Sequence, residues 1–263
     1  MTGVSQNDGV DHASQLPSRR IADAVRALIT SGELTPGDKL PSERELAARF
    51  DVARNTAREA VRLLAEEGLV VAQHGRGVFV REQGRVFRWG SDRYSRALYR
   101  ATGLTPFRAE MQRQNKTPRV DVVSIDRTAP PPDVADRLGV AADEDSVVQR
   151  LNHYFADDEP VQVVTTYIRW SEAEGTPLTE PRTGPGGIYG RLEDLGHQLA
   201  DGVDEVTARM PSHDEARFLA TSAGVPVLDV LHTSYDQDGQ AFEVSRFVHR
   251  GDLSGLVYRF PID

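Results

Sequence analysis

Two arginines four residues apart are the first feature of the sequence that suggests a chemistry. Arg54 and Arg58 fall on one face of a predicted helix over residues 54–67, with Asn55 and Thr56 beside them at its leading end. An arginine side chain matches O6 and N7 of guanine, and polar side chains at this end of a helix reach base edges and phosphates. The cluster predicts binding to double-stranded DNA.

The segment before this helix supplies a second helix at the right distance. Ser42 and Glu45 have the spacing of a capping box, so a helix begins there and ends at a short break over residues 51–53. Arg44 lies in the first turn of this helix, where its side chain suits a phosphate. A further helix is predicted from Ser18. The pair of helices around the break has the form of a helix-turn-helix.

A β-hairpin is predicted directly after the second helix of this pair, with strands over residues 69–72 and 78–80. Its glycines allow close approach to DNA. The turn is small and cationic, and it reads His74, Gly75, Arg76 and Gly77. Each feature alone also fits an ordinary solvated helix face or hairpin. Their occurrence in this order favours a winged helix-turn-helix that binds DNA.

The C-terminal part has the pattern of an α+β domain rich in antiparallel strands. Two strong hairpins are predicted over residues 147–170 and 227–248, each around an acidic turn. Strand alternation places Arg150, Asn152 and Tyr154 on one face of the first hairpin. Glu243, Ser245 and Phe247 likewise share one face of the second hairpin.

These alternating side chains are candidates for binding a small molecule. Arg150 suits a carboxylate or phosphate through bidentate pairing. A structural ion pair between Arg150 and Glu243 is an equally good interpretation. Tyr235 and His249 are expected near Glu243, and Arg209 is a further candidate on a neighbouring strand. An exposed histidine at a strand end is the alternative for His249.

Charge is distributed unevenly along the 263 residues. The net charge is -9, which for the whole chain argues against a nucleic-acid partner. Residues 17–82 carry a net charge of +1, residues 83–108 carry +5, and residues 109–263 carry -13. The acidic excess therefore belongs to the C-terminal part, which phosphates would repel. We predict a disordered tail, a DNA-binding domain, a linker and an effector-binding domain, over residues 1–16, 17–82, 83–106 and 107–263.

Composition and motifs exclude several other classes of protein. The sequence contains no cysteine, no apolar run long enough to span a membrane, and no basic, apolar start of the secretory kind. We therefore expect a cytoplasmic protein without a membrane partner. The histidines lack metal-binding spacing, and no nucleophile elbow is present, so we expect no metal, no cofactor and no catalytic residues.

The sequence from the capping box through the hairpin, PSERELAARFDVARNTAREAVRLLAEEGLVVAQHGRGVFV, resembles the winged helix of the GntR family of bacterial transcription regulators. The resemblance covers about residues 18–81. It implies DNA contacts through Arg44, Arg54, Thr56, Arg58, His74 and Gly75. One departure is Ala53, where the family commonly has a hydroxyl residue.

The two C-terminal hairpins resemble the effector domain called UTRA in the HutC subfamily, over about residues 107–260. This resemblance implies a chorismate-lyase-like α/β fold with a pocket for a small molecule. Glu243 resembles an acid of the family that binds hydroxyl or amine groups. Asn152 and Tyr154 stand where family members that bind sugar phosphates often place a second arginine.

Three functions remain compatible with the sequence. The first is a homodimeric repressor that binds a pseudo-palindromic operator and is released by a small-molecule effector. The second is an enzyme-like domain fused to a DNA-binding module, because the implied fold also hosts a lyase. The third is a constitutive DNA-binding protein without an effector. The absence of a catalytic set favours the first.

Overall fold

The computed structural model divides the chain into two compact units, Met1–Gly84 and Arg85–Asp263. The described residues are 16–73, 75–81, 86–90, 93–94, 102–221 and 224–259. The predicted tail therefore lies, except for Leu16, outside the described residues. The boundary between the units comes shortly after the predicted hairpin.

The first unit has the element order of a winged helix-turn-helix, as predicted. It contains α1 (Pro17–Ser31), α2 (Glu43–Phe50), α3 (Arg54–Glu66), β1 (Val70–Gln73) and β2 (Gly77–Val80). The two strands pair in antiparallel fashion. The wing therefore follows α3 directly.

Local sequence explains where these helices begin and end. The predicted capping box is present, because Ser42 accepts from the backbone of Glu45, whose side chain accepts from Ser42 in return. Asp51 adopts a left-handed conformation with φ 52°, which ends α2 and reverses the chain. The predicted start of α1 at Ser18 was wrong by one residue, since Pro17 occupies the first helical position.

The core of the first unit holds α2 and α3 in place. Ile21 and Val25 of α1 pack with Leu46 of α2, Leu64 of α3 and Val70 of β1, and all five are buried. The apolar side of α3 is used in this core. Its opposite side, which carries the arginines, is left exposed.

The second unit is built around one antiparallel sheet. The described strands of this unit are β3 (Val86–Trp89), β4 (Pro118–Thr128), β5 (Val147–Ala156), β6 (Glu159–Arg169), β7 (Asp201–Arg209), β8 (Val227–Tyr235), β9 (Ala241–Arg250) and β10 (Ser254–Val257). The six-stranded sheet has the order β4-β5-β6-β9-β8-β7. The two predicted hairpins are β5–β6 and β8–β9, and the structure joins them through pairing of β6 with β9.

Helices cover both faces of this sheet. They are α4 (Pro106–Arg113), α5 (Pro132–Leu138), α6 (Trp170–Ala173), α7 (Gly187–Asp194) and α8 (His213–Leu219). On one face, Leu138 of α5 packs with Tyr167 and Val244. On the other, Leu192 of α7 packs with Ile168. The four inner strands, β5, β6, β8 and β9, are thus largely buried on both sides, and polar residues in their middle are drawn into the interior.

The prediction of a linker over residues 83–106 was wrong in part, because Val86–Trp89 form the strand β3. This strand pairs in parallel with β10 near the C-terminal end, and Arg88 within it is buried. Arg93 is buried as well, and its guanidinium contacts the carboxylate of Glu110 on α4. Two of the cationic side chains that the charge pattern assigned to a lead-in, Arg88 and Arg93, are here ion-paired inside the second unit.

Two broader features concern the described part of the chain. No helix there is both long and apolar enough to cross a membrane. Within the same residues, histidine and acidic side chains form no group of three arranged to hold a metal ion.

Candidate DNA interface and ligand cavity

The leading end of α3 presents its two arginines together, as the spacing predicts. Both are exposed, and both contact the carboxylate of Glu43, the first residue of α2. Arg54 Nε donates to Glu43 Oε2 at 3.0 Å, and Arg58 Nε donates to Glu43 Oε1 at 3.1 Å. The hydrogen bond from Arg58, assisted by that from Arg54, lowers the pKa of Glu43 below its usual value. One carboxylate from α2 therefore orients both arginines of α3.

The remaining predicted DNA contacts surround these arginines in the fold. Arg44 is exposed in the first turn of α2, and Asn55 and Thr56 occupy the first turn of α3. Ala53 precedes α3 without a side-chain cap, as its sequence implies. The exposed surface at the helix N-terminus is therefore polar and cationic.

The wing forms the tight turn that the glycines predict. Gly75 has φ 72° and Gly77 has φ 119°, conformations that side chains disfavour. Arg76 is exposed, and its guanidinium lies 5.5 Å from the centre of the Phe79 ring. Predicted contact His74 lies outside the described residues. The wing therefore presents the exposed guanidinium of Arg76 between two glycines.

A cavity of about 450 Å³ opens on one face of the six-stranded sheet of the second unit. Its floor includes Arg150, Asn152 and Tyr154 of β5 and Glu243 of β9, the side chains that strand alternation selects. Ser245 and Phe247, which share the face of Glu243, also line it. The structure therefore brings four of the seven predicted effector-binding residues to one cavity.

Glu243 is held at the floor of the cavity by hydroxyl groups. Its Oε2 accepts from Tyr189 Oη at 3.0 Å and from Ser234 Oγ at 2.7 Å, and its Oε1 accepts from Ser245 Oγ. Burial raises the pKa of the Tyr189 hydroxyl well above its usual value, so this group stays a donor. These partners replace Tyr235 and His249, which the sequence suggested.

Arg150 forms no structural ion pair with Glu243, which removes one of the two interpretations of this pair. Its Nη1 donates to the backbone carbonyl oxygens of Leu178 at 2.6 Å and Glu180 at 2.8 Å. Its Nε is buried and has no hydrogen-bond partner. Burial lowers the pKa of Arg150, since the charged form loses hydration.

The wall of the cavity contains residues that sequence reasoning missed. Arg93 and Tyr94 come from the segment predicted as a linker, and the Arg93 Nε and Tyr94 Oη atoms are buried without partners. Tyr189 comes from α7, directly after the glycine-rich turn over residues 184–187. That turn was the available signal for Tyr189. Nothing local distinguished Arg93 from other basic residues around it.

Three predicted effector residues lie outside the described lining of the cavity. Arg209 contacts Glu215 and Asp229, so its charge is used in an ion-pair cluster on β7, β8 and α8. Tyr235 ends β8 at a register shift opposite Ala241. His249 is buried rather than exposed, and burial together with Arg88 and Arg93 lowers its pKa well below the usual value. A neutral ring packed near Phe247 follows.

Comparison with known protein families identifies both units. The model of the gntR family of bacterial regulatory proteins matches residues 17–80, and the model of the UTRA domain matches residues 113–253, more than half of the chain. The chain belongs to the GntR family. As a GntR protein with a UTRA domain, it has the two-domain organisation of the HutC-type regulators.

Relatives of this GntR protein are transcription regulators, and the similarity extends over most of both chains. The transcriptional repressor NagR of Bacillus subtilis is 30% identical over 244 residues, which cover 91% of this chain and 92% of NagR. MngR, repressor of the mannosyl-D-glycerate transport/metabolism system of Escherichia coli, is 27% identical over 87% of this chain and 89% of its own. The crystal structure of PhnF from Mycobacterium smegmatis superposes with a TM-score of 0.58 at 25% identity, over 92% of this chain and 99% of that one. This chain is therefore a DNA-binding transcription regulator.

Proposed function

We propose that this GntR protein is a repressor that leaves its operator when a small molecule fills the cavity of the UTRA domain. The observation that carries the proposal is a cavity whose buried polar groups lack partners, in a chain whose other unit is a winged helix. A cavity with unsatisfied donors is suited to reversible binding of a polar ligand. The related repressors NagR and MngR support the direction of regulation.

The DNA contacts are assigned to the exposed cations of the first unit. Arg54 and Arg58 read base edges in the major groove, while Arg44 and Arg76 contact phosphates. Asn55, Thr56, His74 and Gly75 complete this surface. Two copies in a homodimer place two such surfaces on the half-sites of a pseudo-palindromic operator. Sedimentation of the free protein and of its DNA complex measures the number of copies directly.

The unpartnered atoms define the chemistry of the effector. Arg93, Tyr94 and Arg150 line the cavity, and each has one buried polar side-chain atom without a hydrogen-bond partner. The described lining also includes exposed Arg108 and Arg182, against one acidic side chain, Glu243. An anion satisfies such donors, and a hydroxyl or amine suits the carboxylate of Glu243. We therefore propose a hydroxylated carboxylate or phosphate.

Thermal shift followed by DNA release tests this function. The first compound is mannosyl-D-glycerate, a hydroxylated carboxylate, followed by other sugar acids and sugar phosphates. At 100 times its dissociation constant, an effector is expected to raise the melting temperature by about 5–10 °C. The same compound is expected to release fluorescent operator DNA, selected beforehand from random duplexes with this protein.

Variants localise the effect to the cavity. Glu243→Ala is expected to abolish the ligand-induced shift, whereas Arg209→Ala, outside the described lining, is expected to retain it. Equal ligand affinity of the free and DNA-bound protein would contradict release by the effector. Binding only of neutral or cationic compounds would contradict the assignment of an anion. Recovery of the compound unchanged after incubation supports binding without turnover, and a product would favour an enzyme.

A further inference from the structure

A row of buried polar side chains leads from the floor of the cavity across the sheet to its edge. Ser234 Oγ donates to Glu243 Oε2, and His232 Nε2 lies 3.1 Å from Ser234 Oγ. His232 Nδ1 lies 2.7 Å from Asp204 Oδ1. The strand register aligns this row, since Ser234 pairs with Glu243 and His232 pairs with Asp204. Hydrogen bonds therefore run without interruption from β9 to the edge strand β7.

The far end of this row holds the strand that follows the DNA-binding unit in the chain. Asp204 accepts from both terminal nitrogens of Arg88, which belongs to β3. It also accepts from Tyr258 Oη at 2.9 Å, directly after β10. β3 pairs in parallel with β10. Asp204 thus fastens both strands of this small sheet to the large one.

Burial makes each member of the row costly to displace. Ser234 is fully buried, His232 and Glu243 are 2% exposed, and Arg88 is 3% exposed. Burial alone would raise the pKa of Asp204, but hydrogen bonds from His232 and Arg88 outweigh it and hold the pKa well below its usual value. In this environment, loss of one partner leaves another polar group unsatisfied.

Ring packing follows the same route. The Tyr94 ring stacks on His232 with 4.5 Å between ring centres, and it meets Tyr189 edge-on at 5.2 Å. Tyr94 lines the ligand cavity, and it also lines a second cavity beside β7 together with His232 and Asp204. Side chains at the ligand site and at the edge strand are consequently in contact by two routes.

We propose that Ser234, His232 and Asp204 are positioning residues that connect Glu243 in the cavity to Arg88 on β3. A ligand hydroxyl or amine that binds Glu243 Oε2 competes with the Ser234 hydroxyl for the same oxygen. The row then adopts a second hydrogen-bonding arrangement, which changes how firmly Asp204 holds β3. This role rests on the proposed function of the cavity, but the connection itself is present without ligand.

The connection is tested by amide exchange in the full-length protein without ligand. Ser234→Ala removes the link between Glu243 and His232, and it is expected to speed exchange of the β3 amides by about tenfold, the effect of one hydrogen bond. Ser245→Ala is the matched control. Ser245 also donates to Glu243, but to Oε1, and its other partner is Thr166 on β6. It is expected to leave exchange in β3 unchanged.

Tryptophan emission gives a second readout of the same strand. The chain has two tryptophans, Trp89 in β3 and Trp170, so Trp170→Phe leaves a single reporter. In this background Ser234→Ala is expected to shift the emission of Trp89, and Ser234→Thr is expected to restore it by returning the hydroxyl. Should Ser234→Ala fail to fold, Tyr189→Phe removes one donor to Glu243 and is expected to produce a smaller change in the same direction.

Equal exchange in β3 for the Ser234 and Ser245 variants would overturn the connection, and so would no change in either. Failure of every compound to shift the melting temperature would instead overturn the proposed function of the cavity. The two results come from separate measurements, so each proposal stands or fails by itself.

Discussion

Arginine is used in opposite ways by the two units of this regulator. In the winged helix, Arg54 and Arg58 are 67% and 60% exposed and share one partly exposed carboxylate. In the UTRA unit, the side chains of Arg88 and Arg93 are 4% exposed, and those of the acids that they contact, Asp204 and Glu110, are 10% and 5% exposed. An exposed arginine exchanges its partner for a phosphate or a base at little cost, whereas a buried one cannot leave without stranding a charge. Exposure, more than the local count of basic residues, separates the arginines that we propose bind DNA from structural ones.

The largest effect is expected from Arg88→Met. This change leaves the buried Asp204 carboxylate without its arginine and is expected to destabilise the UTRA unit by about 3–5 kcal/mol. Urea unfolding measures the loss. Arg54→Ala is the surface counterpart, expected to stay within about 0.5 kcal/mol of the unchanged protein. Similar losses for both variants would erase the distinction between buried and exposed arginines.

Acidification probes the same buried pair. The pKa of Asp204 is lower in the folded protein than in the unfolded chain, so its stabilisation is complete above the unfolded value of about 3.9. It is lost as the pH falls through that value toward the folded one. Stability is therefore expected to decline more steeply below about pH 4 in the unchanged protein than in Asp204→Asn. Parallel curves would show that this carboxylate is not selectively stabilised.

Operator affinity is expected to respond next. Arg54→Ala removes a proposed contact to base edges and is expected to weaken operator binding by about 1–3 kcal/mol, measured by fluorescence anisotropy. Arg62→Ala is the matched control on the same helix, because Arg62 contacts Glu59 and Glu66 and is not a predicted DNA contact. Comparable losses of operator affinity for both variants would indicate that α3 contributes to binding only through its net charge.

A smaller and less selective effect is expected at the wing. Arg76→Ala removes a predicted phosphate contact, so it is expected to weaken binding to operator and random DNA alike. The slope of log affinity against log salt is expected to fall by about one. A loss confined to the operator would assign Arg76 to base recognition.

The smallest effect is expected from Glu43→Gln. The substitution removes a negative charge from the proposed DNA-binding surface and removes the ion pairs of both arginines of α3. Binding to random DNA is expected to strengthen by about threefold, in the range of an exposed ion pair, while discrimination in favour of the operator falls. Unchanged discrimination would mean that Glu43 does not orient Arg54 and Arg58.

Sequence reasoning succeeded where the deciding interactions are local. The capping box of Ser42 and Glu45 and the paired arginines of α3 depend on residues three or four positions apart. Alternation within single strands placed Arg150 and Glu243 on their faces correctly. These are short-range regularities of helix and strand geometry.

Most of the failures involve partners distant in the chain. Arg93 was assigned to a linker because the sequence around it does not indicate its ion pair with Glu110. Arg209 was predicted to bind the ligand because its ion pair with Asp229 depends on the pairing of β7 with β8. His249 was expected either near Glu243 or at an exposed strand end, but the packing around β9 buries it outside the described lining of the cavity. Such pairings depend on the order of strands, which alternation alone does not determine.

The parallel pairing of β3 with β10 has a consequence for the order in which a newly made chain becomes functional. β3 is the first described strand of its unit, and its partner β10 follows the other described strands of that unit in the chain. The core of the winged helix is formed within its own unit, which precedes the UTRA unit in the chain, so it can fold while the UTRA unit is still incomplete. During translation, the DNA-binding unit therefore forms before the unit that we propose binds the effector.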